Sequence, residues 1–70
     1  MSIDIHYFTH TPHQAGTYLV RLRQNTFEVK RRKVYWMLGQ YRDGDWFTEF
    51  TKTPERWEDH GYVVTGWRYA

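Results

Sequence analysis

The sequence predicts a mainly β domain: a small antiparallel sheet or open barrel of about five strands, with one short helix near residues 53–60. Three observations carry this. Short runs alternate polar and apolar side chains with a period of two, the spacing of a half-buried strand. Gly, Pro, Asn and Asp interrupt these runs at close intervals, as tight turns require. Finally, four Trp, six Tyr and four Phe occur in 70 residues that contain no Cys. Aromatic rings bury roughly 150–250 Å² each, so they can close a core in a chain too short for an aliphatic one and without disulfides.

Taken in order, Ile3–Phe8 alternates as a first strand, and Thr9–Gly16 is a loop punctuated by Pro12 and Gly16. Tyr18, Val20 and Leu22 share one face of a strand over Thr17–Arg23, with Thr17, Arg21 and Arg23 on the other. Gln24-Asn25-Thr26 is a polar break, after which Phe27–Lys30 alternates again. Arg31-Arg32-Lys33 reads either as a bend or as the middle of one long strand from Phe27 to Tyr41. Val34–Leu38 is apolar on both faces, which places Lys33–Arg42 centrally in the sheet, covered on both sides. Asp43-Gly44 between two aromatic strands is the strongest local signal, because Gly accepts positive φ without steric cost in a tight hairpin. Asp45–Phe50 follows, with Trp46, Thr48 and Phe50 on one face. Thr53-Pro54-Glu55 has the composition of a helix start, with Thr53 as N-cap, and Gly61 ends that helix. Tyr62–Tyr69 is the last strand, and Gly66 inside it marks a bulge or a close backbone approach.

One domain, 1–70, fits this length. With no Cys there is neither a disulfide framework nor a thiolate metal site, and a reducing cytoplasm is the expected compartment. Met1–His6 lacks the basic start and apolar run of a signal peptide. Val34–Leu38 is the longest apolar run, far too short to cross a bilayer, so no membrane association is expected. Net charge is +2 but unevenly placed: residues 1–42 hold seven basic and two acidic side chains, residues 43–70 three basic and six acidic. Such polarity either steers a charged partner or lets the two halves of a sheet neutralise each other.

Little points to catalysis. Ser2 is the only Ser, and the five Gly are isolated, with no phosphate-cradling run. Glu58-Asp59 and the Asp43, Asp45 pair are neighbours on turns, where carboxylates are ordinarily solvated. A domain this small also has difficulty enclosing a substrate pocket. A non-enzymatic protein without cofactor is expected. His6, His10 and His13 lie close in sequence, and a loop could fold them into an open three-His position for zinc. Polar loop histidines are the simpler reading, and no metal site is assigned.

Binding chemistry is better represented. Lys30, Arg31, Arg32 and Lys33 form the strongest electrostatic cluster, with Tyr35, Trp36 and Tyr41 nearby. Cations that hold phosphate beside rings that stack on bases would suit a nucleic-acid surface. The same residue types equally suit a protein interface, where Arg and aromatic anchors concentrate. Trp36, Trp46, Trp57 and Trp67 recur at strand-to-strand spacing, so some could stack in one layer across neighbouring strands, and most are expected in the core. Trp57 stands in the polar stretch Glu55–His60, where its ring either anchors the helix to the sheet or faces a partner. The candidate site is therefore Lys30, Arg31, Arg32 and Lys33 for electrostatic steering, with Tyr35, Tyr41 and Trp57 as aromatic anchors. A homodimer that buries surplus rings is a third possibility.

Three segments together carry a family resemblance: Thr11–Val20, a Pro-x-x-x-Gly turn leading into an apolar strand; Tyr41–Trp46, a turn ahead of a Trp; and Val63–Tyr69, a closing Val-Thr-x-Trp strand. Their order is similar to that of the small phage and prophage proteins grouped as domain of unknown function 551, across residues 11–69. The resemblance implies an antiparallel β domain of phage origin, without catalytic residues to transfer. It also implies an accessory protein that acts by sitting on a host protein or complex, such as a polymerase, a nuclease or a defence assembly.

Overall fold

Alternation along Gly16–Gln24 produces strand β1, which buries Tyr18, Val20 and Leu22 on one face. In the computed structural model, which describes residues 6–28 and 33–70, β1 is an inner strand of a four-stranded antiparallel sheet. The others are β2 (Val34–Arg42), β3 (Asp45–Thr48) and β4 (Tyr62–Arg68), in the order β3-β2-β1-β4. The sheet curls into a half-barrel. The mainly β, antiparallel architecture is as the sequence predicts.

Directly opposed residues of antiparallel strands project to the same face. Val20 lies opposite Met37 on one side and Trp67 on the other, and Leu22 lies between Tyr35 and Val64. These residues, with Tyr18, Thr48 and Trp46, define the inner face. Val20 and Leu22 are fully buried there beneath Trp57, with Trp46, Tyr62 and Val64 packed around them. Burying a side chain of this size contributes roughly 1.5–3 kcal/mol, so these few residues supply much of the fold's stability. The outer face carries Leu19 opposite Leu38, Arg21 opposite Trp36 and Arg23 opposite Val34.

The Asp43-Gly44 turn forms as expected. Asp43 has φ 52° and Gly44 φ 75°, the pair of left-handed conformations of a type I′ hairpin, and Arg42 and Asp45 close it. At Gly66 both sequence readings hold. The β1–β4 register shifts between Arg21 and Leu22, leaving Thr65 as the extra residue of a bulge. Its hydroxyl accepts from Arg21 Nη1 at 2.8 Å and donates to the Arg21 carbonyl at 3.3 Å. A side chain at Gly66 would also collide with the Tyr7 ring.

Several expectations are corrected. The first strand reduces, within the described residues, to one antiparallel bridge between Phe8 and Trp67, with reciprocal backbone bonds of 2.8 and 3.0 Å; Ile3–Ile5 lie outside the described residues. Phe27 and Glu28 are not in a strand; Phe27 is fully exposed and Glu28 is on the surface, while Val29 and Lys30 lie outside the described residues. β3 stops at Thr48, short of Phe50. The helix of residues 53–60 is only a 3-10 turn, Trp57–His60, preceded by Arg56 in extended conformation. The cause is Thr48. Its N–H donates to the Glu55 carbonyl at 2.7 Å, and its hydroxyl accepts from the Glu55 N–H at 3.1 Å. With Phe47 bridged to Arg56, residues 55–56 are held along β3 and cannot enter a helix. Thr53 therefore caps nothing: its carbonyl accepts from the Thr51 hydroxyl at 2.7 Å.

Candidate docking surface

Strand β2 is interior in the sheet, as its apolar run Val34–Leu38 predicts, but it is not covered on both faces. Val34 is 42% exposed, Tyr35 38%, Met37 39% and Leu38 47%. Two geometric causes combine. The covering 3-10 turn is one turn long, and its Trp57 sits over the Gly39 end of β2. On the outer face, Tyr7 meets Trp36 edge-on at 5.8 Å and takes the Arg21 guanidinium over its ring at 4.9 Å. That contact caps the middle of the strand's outer face and leaves Val34 and Leu38 open on either side.

Phe50 extends this strip. Released from β3, it is 60% exposed and leans on Trp57 at 5.6 Å and His60 at 5.7 Å. Trp36, Met37, Leu38, Glu49 and Phe50 line a shallow groove beside the end of β3. Exposed apolar area of this kind marks interaction surfaces on small proteins; here it lies on both faces of β2, with Val34 and Leu38 outside and Tyr35 and Met37 inside.

The structure distributes the sequence-predicted site residues unevenly. Lys30, Arg31 and Arg32 lie outside the described residues. Lys33 is exposed at the start of β2, tied to β1 by the Gln24 N–H donating to its carbonyl at 3.0 Å. Tyr35 is two residues further on, on the same face, and packs edge-to-face on Tyr62 at 6.0 Å. Lys33 and Tyr35 thus form one end of the strip. Tyr41 does not join them: it lies six residue steps along the strand from Tyr35, about 20 Å. Its ring tilts on Trp46 at 5.0 Å instead.

Trp57 is a correction. It is 2% exposed and belongs to the core. The 3-10 turn turns its indole inward against Val20, Phe50 and Tyr62, and sends Glu58 and Asp59 outward. Of the other tryptophans, Trp46 and Trp67 lie with Trp57 on the inner face, as the expectation that most are core has it, while Trp36 lies on the outer face. Tyr18 bridges Trp46 at 6.0 Å and Trp67 at 4.8 Å.

Val34, Met37, Leu38 and Phe50 escape sequence reasoning. For Val34, Met37 and Leu38 the signal is an apolar run with no charge, which reads as burial because a run alone does not say how far its covering element reaches; Phe50 is placed by alternation on the buried face of β3, which ends before it.

The histidines enter the aromatic rim. His10 packs edge-on against Trp67 at 5.7 Å, its carbonyl accepts the Trp67 indole N–H at 2.6 Å, and His13 lies 6.1 Å from its ring. Among the described residues, no three His, Asp or Glu converge as metal ligands. Asp45 and Glu58 both pair with Arg56, the former at 2.7 Å, and Glu55 meets His60 at 3.1 Å. Asp45, Glu58 and Glu55 are thus paired within their own half of the chain.

No helix among the described residues is long and apolar enough to cross a membrane. The chain matches no family model, no curated protein and no solved structure.

Proposed function

We propose that this chain is a small non-enzymatic binding protein that docks on a host protein or complex and occludes that partner's own contacts. The supporting observation is the apolar strip of β2, Val34 to Leu38 with Phe50 beside it, exposed on a fold whose core is otherwise closed around Trp57. Burial of such side chains by a partner is worth roughly 25 cal/mol per Å² before the costs of association. Lys33, with Lys30, Arg31 and Arg32 preceding it in sequence, supplies electrostatic steering at one end of the strip. A phage-encoded protein acting in the host cytoplasm accords with the resemblance and with the absence of Cys.

Capture of a partner from host extract by the immobilised protein tests this reading, with Tyr35→Ser and Phe50→Ser as variants. Both side chains are partly exposed, and far-UV circular dichroism checks that each variant keeps the fold. The expected result is loss of the captured partner with each variant. Recovery of the same partner at full strength from both removes the strip as the docking surface.

A further inference from the structure

Strand β4 is the last strand on its side of the sheet, and part of its outer edge is unoccupied. The Asn25 N–H donates to the Gly61 carbonyl at 2.9 Å, and Val63 lies opposite Arg23. Gly61 and Val63 therefore direct their backbone groups to β1, and by alternation Tyr62 and Val64 direct theirs away from it. Further along, the bulge at Thr65 interrupts the edge, and the outward N–H and C=O of Trp67 bond to Phe8. Those two features close the far end. Among the described residues nothing pairs with Tyr62 or Val64 on the outer side. Tyr62-Val63-Val64 also lacks the charge or proline that ordinarily blunts an exposed edge.

This edge borders the open seam of the half-barrel. Across the seam β3 is sealed: the Trp46 N–H donates to Oδ1 of the Asp45 carboxylate at 2.7 Å, and Phe47 is bridged to Arg56. Between the two edges lies a cleft of about 270 Å³, lined by Trp46, Trp57, Tyr62 and Val64 together with the carboxylates Asp45 and Glu58. Asp45 and Glu58 share a single guanidinium, that of Arg56, so negative charge is in excess there. Aromatic walls beside carboxylates attract a cation through ring faces and ionic charge alike. The space falls short of the roughly 300–1,000 Å³ of a small-molecule site and suits one long side chain.

We propose that the seam receives an extended segment of a partner protein, which pairs with β4 at Tyr62 and Val64 and places a Lys or Arg side chain in the cleft. Pairing and charge fit one arrangement. A residue bonded opposite Tyr62 or Val64 projects to the same face as they do. That face is the inner one, since Val64 lies opposite Leu22 and Tyr62 opposite Gln24. Such a residue sends its side chain into the cleft, while its sequence neighbours point outward. Backbone bonds supply affinity, and the cleft selects a cation at alternate positions. The seam is separate from the apolar strip of β2. It gives the docking protein a second contact, one that recognises backbone and charge rather than apolar area.

Amide chemical shifts, followed while an end-blocked Val-Lys-Val-Lys-Val peptide is added to the full chain, test the proposal. The expected result is saturable shifts at the Tyr62 and Val64 amides and at the Trp46 indole N–H. The same peptide with Glu for Lys is expected not to bind, although the chain's net charge of +2 would favour it in non-specific attraction. A Lys peptide methylated on the backbone nitrogen of each Lys keeps the charge, cannot pair, and is also expected not to bind. Asp45→Asn together with Glu58→Gln keeps an oxygen acceptor at both positions and is expected to abolish the preference for Lys over Glu. Absence of shifts at Tyr62 and Val64 up to millimolar peptide overturns the proposal. Equal binding by either control peptide, or a Lys preference that survives the double variant, does the same. Host extract plays no part in this titration, so failure at the seam and failure of the β2 strip are told apart.

Discussion

The indole of Trp57 rests directly on Gly39, so closely that a Cβ at Gly39 would lie 2.9 Å from the indole Nε1 and 2.8 Å from Val20 Cγ2. Glycine inside a strand ordinarily weakens it. Here it lets the 3-10 turn approach the sheet and close the core at one end of β2. The same placement leaves the other end of β2 bare. Core and docking strip are thus two consequences of where one ring sits.

Gly39→Ala is expected to lower stability by roughly 1–3 kcal/mol, because the added methyl is overpacked against both neighbours. Chemical denaturation measures it. An unchanged midpoint would show that the ring and strand are not held this tightly.

Trp57→Ala is expected to cost about 3–5 kcal/mol, the range for emptying a buried aromatic site. Trp57→Phe should cost much less. The buried Trp57 Nε1 has no hydrogen-bond partner among the described residues, so phenylalanine removes an unsatisfied donor while keeping most of the ring. Equal losses for the two variants in thermal unfolding would contradict this.

Gly44→Ala is expected to destabilise the β2–β3 hairpin by about 1–2 kcal/mol, the cost of a side chain in the left-handed region, since Gly44 has φ 75°. Asp43→Asn, at φ 52°, should be near neutral because Asn tolerates that region as Asp does. The pair of unfolding curves checks the turn assignment.

Arg56 holds Asp45 and Glu58 together on the surface and is half exposed. Exposed ion pairs are worth about 0–1 kcal/mol, so Arg56→Ala should shift the unfolding midpoint slightly, and less in high salt. A large loss insensitive to salt would mean the bridge supports the core.

Protein docking rather than nucleic-acid binding predicts no association with single-stranded oligonucleotides at low salt. Fluorescence anisotropy checks this. Measurable binding with a steep logarithmic salt dependence would favour the nucleic-acid alternative built on Lys30, Arg31, Arg32 and Lys33.

What was legible in the sequence is what local chemistry decides. Tyr18, Val20 and Leu22 announce β1 by alternation, Asp43-Gly44 announces its turn, and Gly66 announces the bulge. What was not legible depends on contacts between distant segments. Thr53-Pro54-Glu55 has the composition of a helix start, but the Thr48 hydroxyl and backbone engage Glu55 first. Nothing local records that competition. Val34–Leu38 reads as buried because hydrophobicity reports what a residue prefers, whereas its exposure depends on the reach of Trp57 and Tyr7. Trp57 reads ambiguously because it is surrounded by charge in sequence, and only the inward rotation of a single 3-10 turn separates it from Glu58 and Asp59.

Residue-resolved amide hydrogen exchange along β2, at micromolar concentration, tests the open strip most directly. Val34 and Trp36, whose N–H groups point away from β1, should exchange quickly while Tyr35 and Met37, bonded to β1, are protected. Equal protection of all four amides at the lowest concentration would mean that another part of the same chain already covers this stretch, and the docking account would fall.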